Sequence, residues 1–308
     1  MMAASPARTW RADLALVIVV AIWGATFVLV KEALQDASTL LFLALRFSLA
    51  SIILALAFAG RYTGFTALKS SLTGGLLAGL CLFCGYFFQT AGLRHTTPSK
   101  SAFITALSVV MVPLLVSLVH KSVPHAAEAA GVVLATAGLG LMTLQRDSLR
   151  LSTGDLLTLV CAFAFAVHVV VLAHFSIKSS LEVLSLTQIA TAAVVALSTF
   201  WWAETPRVRW SGGLLVALVV TGLFATALAF TVQAWAQRHT SPTRTALILA
   251  LEPVFAWVTS FVLTGERLSR RGMTGGFLIL SGVLLAELKP SWARRHPFKK
   301  RASLVGVL

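Results

Sequence analysis

Apolar stretches of about twenty residues follow one another along this chain almost without pause, and each is long enough to cross a lipid bilayer. About ten such windows lie at roughly 12–33, 38–60, 72–93, 99–119, 126–144, 155–177, 181–203, 212–236, 243–264 and 271–288. Of the 308 residues, 57% are hydrophobic and only 12% are charged, against about 25% charged in an ordinary soluble domain. A soluble fold of this size has no means of hiding so much apolar surface behind a polar exterior. Lipid removes the difficulty, and the expected class is an all-α membrane protein with about ten transmembrane helices.

The first apolar run, Leu14 to Val30, follows Arg8 and Arg11. It is too long for a signal-peptide core, and Lys31 follows without a small-residue cleavage site, so it is expected to remain as the first helix. The connections between windows are short, and none holds a soluble catalytic domain. Cys81, Cys84 and Cys161 all lie inside apolar runs. The Cys81-x2-Cys84 pair has no second pair to complete a zinc site, so no metal, cofactor or disulfide is expected.

The formal net charge is +14. Much of the excess sits at the end, in Lys289, Arg294, Arg295, Lys299, Lys300 and Arg301, beside Trp292 and Phe298. A basic juxtamembrane tail of this kind lies against anionic headgroups on the cytoplasmic side, so the lipid bilayer, and not nucleic acid, is its expected partner. The loops of the body barely favour either orientation. The tail tips the balance toward both termini in the cytoplasm, and short loops with a basic tail suit a bacterial inner membrane.

The chain also repeats itself. Residues 89–142 align with 233–286 at a constant offset of 144: Gln89 meets Gln233, Arg94-His95-Thr96 meets Arg238-His239-Thr240, Pro98 meets Pro242, and Gly131 and Gly138 meet Gly275 and Gly282. Nearer the start of each half the offset is 142, and Asp13 meets Asp155. Each half then holds five helices, and an odd number forces the second half to enter the membrane upside down. The expected organisation is a five-helix repeat over 1–145, a second, inverted repeat over 146–288, and the tail 289–308. Inverted repeats enclosing a midplane site are the architecture of secondary transporters.

Several short motifs stand in order along this frame. Trp23-Gly24-x-Thr26-Phe27 opens the first helix and Arg46-Phe47 lies in the second. Pro98-Ser99-Lys100-Ser101-Ala102 begins the fourth. Leu251-Glu252-Pro253-Val254-Phe255-Ala256 lies in the ninth, followed by Gly265-Glu266-Arg267 and by Gly282-Val283-Leu284-Leu285. Together they resemble the EamA family of the drug/metabolite transporter superfamily over nearly the whole chain except the tail. The resemblance implies a ten-helix fold and secondary transport without ATP, often export of amino acids or other metabolites, with no particular substrate fixed. One departure is Lys121-Ser122-Val123, which stands where the second half has Gly265-Glu266-Arg267.

Ionisable groups deep in a membrane are costly and point to function. Three stand out: Arg46, His168 and Glu252. In the repeat alignment they fall opposite Gln188, Thr26 and Ser108. Each charged or titratable group thus has a neutral hydrogen-bonding counterpart, as expected of positions that face the protein interior in both halves. Glu252 precedes Pro253, which removes a backbone donor. It is a candidate for proton coupling or for binding a substrate amine, and an ion pair with Arg46 is the structural alternative. Both lie roughly 10–15 Å into the membrane by helix rise. Arg46 keeps its charge and can hold a substrate carboxylate. His168 can exchange protons near neutral pH. Gln89 and Gln233 form a symmetric pair, Trp23 is deep enough to line a cavity, and Tyr86 lies one turn before Gln89. The candidate cavity is therefore Trp23, Thr26, Arg46, Tyr86, Gln89, Ser108, His168, Gln188, Gln233 and Glu252.

No H-E-x-x-H, G-x-S-x-G or G-x4-G-K-[ST] pattern is present, so neither hydrolysis nor ATP-driven transport has its expected residues. Neither a filter-like run nor a ring of like charge suggests a channel. The reading is a non-enzymatic carrier of small molecules, most directly an exporter of amino acids or related compounds. The rivals are an intramembrane enzyme, a channel-like or sensor protein, or a carrier of nucleobases, polyamines or drugs. Oligomeric state is not encoded in these patterns.

Overall fold

The computed structural model describes residues 6–60, 68–119, 126–143, 152–240, 245 and 248–287. The expected Lys121-Ser122-Val123 loop, the Pro242 helix start and the basic tail lie outside them. Helix is the rule: α1 (Pro6–Asp36), α2 (Thr39–Ala57), α3 (Leu68–Leu93), α4 (Pro98–Thr105), α5 (Leu107–Val119), α6 (Ala126–Thr143), α7 (Thr153–Ser176) and α8 (Leu181–Ala203). A further continuous run is built from α9 (Gly212–Val219), a π-helical segment (Val220–Leu228) and α10 (Ala229–Ala236), and is followed by α11 (Glu252–Thr264) and α12 (Arg270–Glu287). Among the described residues the only β feature is a bridge between Ala37 and Val208. Among the described residues seven runs are long and apolar enough to cross a membrane, with α4 and α5 counting as one, and α11 is a shorter apolar helix.

The helix ends follow from local chemistry. Thr97 caps α4 by accepting from the Lys100 amide, with Pro98 in the first turn where its missing N–H costs nothing. Ser152 and Asp155 form a capping box at α7. Gly265 ends α11 in the left-handed region at φ 70°, and Glu266 accepts from the Ser260 hydroxyl, so this loop motif serves as a helix stop. The two Arg-His-Thr segments also act structurally. Arg94 donates to the carbonyls of Leu34 at 2.9 Å and Ala37 at 2.7 Å, and Arg238 donates to the carbonyl of Ser179 at 2.6 Å. Ala37 and Ser179 stand 142 apart, so both arginines tie down equivalent corners.

Glycines decide how closely the helices approach. A Cβ on Gly75 or Gly79 of α3 would run into Thr187, or into the Gln188 carbonyl and Thr191, of α8. On α6, a Cβ at Gly138 would lie 2.5 Å from the Gly275 carbonyl and 2.8 Å from the Ile279 amide. On α12, one at Gly282 would lie 2.5 Å from the Gly131 carbonyl and 2.7 Å from the Ala135 amide. These are the same contacts with partners exchanged at an offset of 144. The outer faces of the bundle carry exposed Leu14, Ile18, Ile52, Leu56, Leu76 and Leu80, apolar side chains that lipid can cover.

A direct test of the glycine contacts is thermal unfolding in detergent. Gly79→Val is expected to cost about 1–3 kcal/mol by overpacking α3 against α8 and to lower the unfolding temperature. Gly212→Ala, where no atom lies within 4 Å of the new methyl, is expected to leave it unchanged.

Candidate functional site

A cavity of about 60 Å³ lies between the helices. Trp23, Thr26, Phe27 and Val30 of α1 reach it, as do Tyr86 and Gln89 of α3, Arg46 of α2, and Thr105 and Ser108 on either side of the α4–α5 junction. Phe165 and His168 come from α7, Phe230 and Gln233 from α10, and Glu252 from the start of α11. Nine of the ten residues expected from sequence thus meet around one space. The tenth, Gln188, does not line it. Its amide stands behind His168, whose Nε2 lies 3.1 Å from Gln188 Oε1, because Gly75 and Gly79 bring α3 down over that part of α8.

Four of the aromatic rings in the wall are related by the repeat. Trp23 stands 142 residues before Phe165, and Tyr86 stands 144 before Phe230. The Trp23–Phe230 centroids are 5.1 Å apart and the Tyr86–Phe165 centroids 5.3 Å, so each contact is the other with its members exchanged. Tyr86 and Phe230 then meet at 6.0 Å across the middle. Such tilted and edge-on pairs are favoured arrangements of aromatic quadrupoles. Sequence reasoning missed Phe165 and Phe230, although the repeat alignment of Trp23 and Tyr86 pointed straight at them. The Tyr86 ring is buried within this cluster.

The π segment supplies what holds Arg46. Its wider turns leave Thr226 Oγ1 donating to the Thr221 carbonyl, five residues back, at 2.7 Å. The same hydroxyl accepts from Arg46 Nε at 2.8 Å. One residue earlier, the Ala225 carbonyl accepts from Trp23 Nε1 at 2.8 Å. Irregular helical turns of this type are frequent where a side chain must be held at a site. The Arg46 guanidinium also lies 4.1 Å over the Tyr86 ring centroid, an arrangement worth up to about 2 kcal/mol when desolvated. Thr226 was not among the expected residues. Nothing in a single sequence separates a threonine in a π turn from one in an α turn.

The expected ion pair between Arg46 and Glu252 is not formed. Among the described residues the only ion pairs are Lys100–Asp155 at 2.8 Å and Arg209–Asp36 at 2.5 Å. Arg46 turns toward α3 and the π segment, whereas Glu252 starts α11, whose first turn is packed on Gly24 of α1. Two polar atoms in the wall have no partner: Arg46 Nη2, on a residue 2% exposed, and Gln233 Oε1, on a residue 1% exposed. Elsewhere, Gln89 Nε2 reaches Thr105 Oγ1 at 3.4 Å and Thr26 donates to the Trp23 carbonyl. No group of three His, Cys, Asp or Glu comes together among the described residues.

The helices also tighten locally beside the cavity. Val109 N–H bonds the Ala106 carbonyl, and Leu251 N–H bonds that of Ile248, both at the three-residue spacing. Ser108 lies within the first of these turns and Glu252 directly follows the second. Each half thereby offers a polar residue at an interrupted helix, the arrangement from which midplane sites in membrane carriers are built.

Replacing Thr226 by Val keeps its shape but removes the acceptor for Arg46 Nε. The expected loss is about 1–3 kcal/mol, the cost of a buried donor left unmatched, read as a lower unfolding temperature in detergent. Thr231→Val, on the same helical run but bonded only to its own backbone, is expected to change it by much less.

Comparison with known proteins agrees with this fold. The EamA-like transporter family matches over residues 10–144 and again over 152–288. An uncharacterized transporter of Archaeoglobus fulgidus is 33% identical over 278 residues, covering 90% of this chain and 86% of its own. The uncharacterized transporter YoaV of Bacillus subtilis is 21% identical over 278 residues, covering 88% and 95%. A solved crystal structure superposes with a TM-score of 0.66 at 21% identity, over 90% of this chain and 96% of that one, a likeness of fold. The molecule is thus an integral membrane protein of the transporter type, and the chain belongs to the EamA-like transporter family.

Proposed function

We propose that this protein is a secondary transporter that exports small organic metabolites, amino acids first among them, by alternating access to the cavity described above. In this reading ten helices span the membrane: the seven long apolar runs together with α6, α11 and α12. They form two inverted repeats, 1–145 and 146–288, with the tail 289–308 and both termini on the cytoplasmic side of a bacterial inner membrane.

The observation that carries the reading is the exchange of partners between repeat-related residues. The contacts Trp23–Phe230 and Phe165–Tyr86, and likewise Gly138–Gly275 and Gly282–Gly131, are repeat-related pairs in which each half supplies both roles. The double match to the family supports it independently. Two structurally equivalent halves around one polar space can exchange inward- and outward-facing shapes by swapping their conformations. Cavity size fits the same mechanism. About 60 Å³ accommodates a handful of waters, so a metabolite enters only when the surrounding helices separate. Within this mechanism Glu252 and His168 are the groups that couple transport to protons, and the remaining polar wall residues contact the substrate.

The test is efflux from proteoliposomes loaded with a mixture of radiolabelled amino acids, with and without an imposed pH gradient, for wild type and Glu252→Gln. Saturable efflux is expected, accelerated by the gradient in wild type and not in the variant. Efflux that ignores the gradient in both removes proton coupling. No efflux of any amino acid removes the substrate class.

A further inference from the structure

We propose that Arg46 is the specificity-determining residue of the cavity: its unpartnered Nη2 holds a carboxylate of the transported molecule. The substrate class is then organic acids, amino acids included, and molecules without an acidic group are excluded. The inference rests on the cavity being the transport site.

The geometry of Arg46 carries it. A guanidinium has five N–H donors in a rigid fork and stays charged at any ordinary pH. Here Nε is occupied by the Thr226 hydroxyl and one face by the Tyr86 ring, both neutral partners. Nη2 has no partner, although Arg46 is 2% exposed and lines the cavity. No carboxylate of the described residues lies within 4.0 Å of it, Glu252 of the same cavity included. Such an isolated buried cation is costly. A monovalent carboxylate entering the cavity matches it in charge and accepts a charge-assisted hydrogen bond from Nη2. A phosphate dianion beside a single arginine would leave excess negative charge, and an amine or a cationic drug would add like charge to an uncompensated cation.

The rest of the wall suits the remainder of such a molecule. Trp23, Phe165 and Phe230 present aromatic surface for an apolar body. Gln233 Oε1, also without a partner, is an acceptor for an N–H group. Thr226 and Tyr86 act as positioning residues. They hold Nε and the guanidinium plane, and they leave Nη2 for the ligand.

The experiment measures the shift in unfolding temperature of the detergent-solubilised protein with four matched probes: L-phenylalanine, 3-phenylpropionate, L-phenylalaninamide and phenethylamine. The same series is run on a leucine skeleton. The two carboxylates of each series are expected to stabilise the wild type, and the amide and amine to require at least about tenfold higher concentration for the same shift, the usual effect of losing a charge-assisted hydrogen bond. Arg46→Lys is expected to keep part of that preference and Arg46→Gln to lose it. The wild-type series decides the matter even if a variant fails to fold. Equal shifts by acids and amines, no shift by any probe, or an acid preference that survives in Arg46→Gln would each overturn the proposal. Its failure is separable from that of the transport reading: efflux without an acid preference removes only the anchor, and an acid preference without efflux removes only transport.

Discussion

Arg46 carries a permanent charge at the centre of a bundle that stands in hydrocarbon, and most of the interior is arranged around that fact. The hydrocarbon around the bundle cannot solvate it. Nor does any described carboxylate neutralise it. What remains is partial satisfaction by a hydroxyl and an aromatic face, and each demands a particular backbone. The hydroxyl of Thr226 is in place because nine residues wind as a π-helix. The Tyr86 ring is in place because it sits inside the four-ring cluster, held edge-on by Phe165 and Phe230. The charge, the helical irregularity and the aromatic wall are one arrangement.

That arrangement depends in turn on close helix approach. Gly75 and Gly79 let α3, which carries Tyr86 and Gln89, press on α8. Gly24 lets α1, which carries Trp23, lie against the first turn of α11 where Glu252 begins. A side chain at any of these positions would drive the helices apart and pull the ring cluster open. Small residues buried between helices take the place that hydrophobic burial holds in a soluble core, because lipid offers little drive for apolar surfaces to associate. The symmetric glycine pairs of α6 and α12 hold the two related elements together at a distance from the cavity.

Much of this was legible in the sequence, and for identifiable reasons. Apolar windows located the seven described runs long enough to span, because bilayer thickness fixes their length. The offset of 144 found Gln89 and Gln233 and, applied one turn earlier, also yields Tyr86 and Phe230. The neutral counterparts of Arg46, His168 and Glu252 marked interior positions correctly, and all three line one space. Depth along the membrane normal misled in one respect. It placed Arg46 and Glu252 at one level and suggested a pair, but depth says nothing of the direction in which a side chain leaves its helix. Gln188 was misplaced for a related reason: an interior face is not yet a cavity face, and the close packing of α3 on α8 decides which residues it covers. The π segment left no readable trace, since Val220–Leu228 is as apolar as its neighbours. The change of offset from 142 to 144 falls in the stretch that contains it.

The central claim is that one cavity is reached in turn from both sides of the membrane. Ser108, on the cavity wall and not among the Arg46 contacts, is the position to probe. Ser108→Cys is made after Cys81, Cys84 and Cys161, all free thiols, are replaced by Ala, and the protein is placed in oriented vesicles with a membrane-impermeant thiol reagent on one side at a time. The account predicts modification from either side, slowed in both cases by transported substrate. Modification from one side only, whatever the substrate, would contradict it.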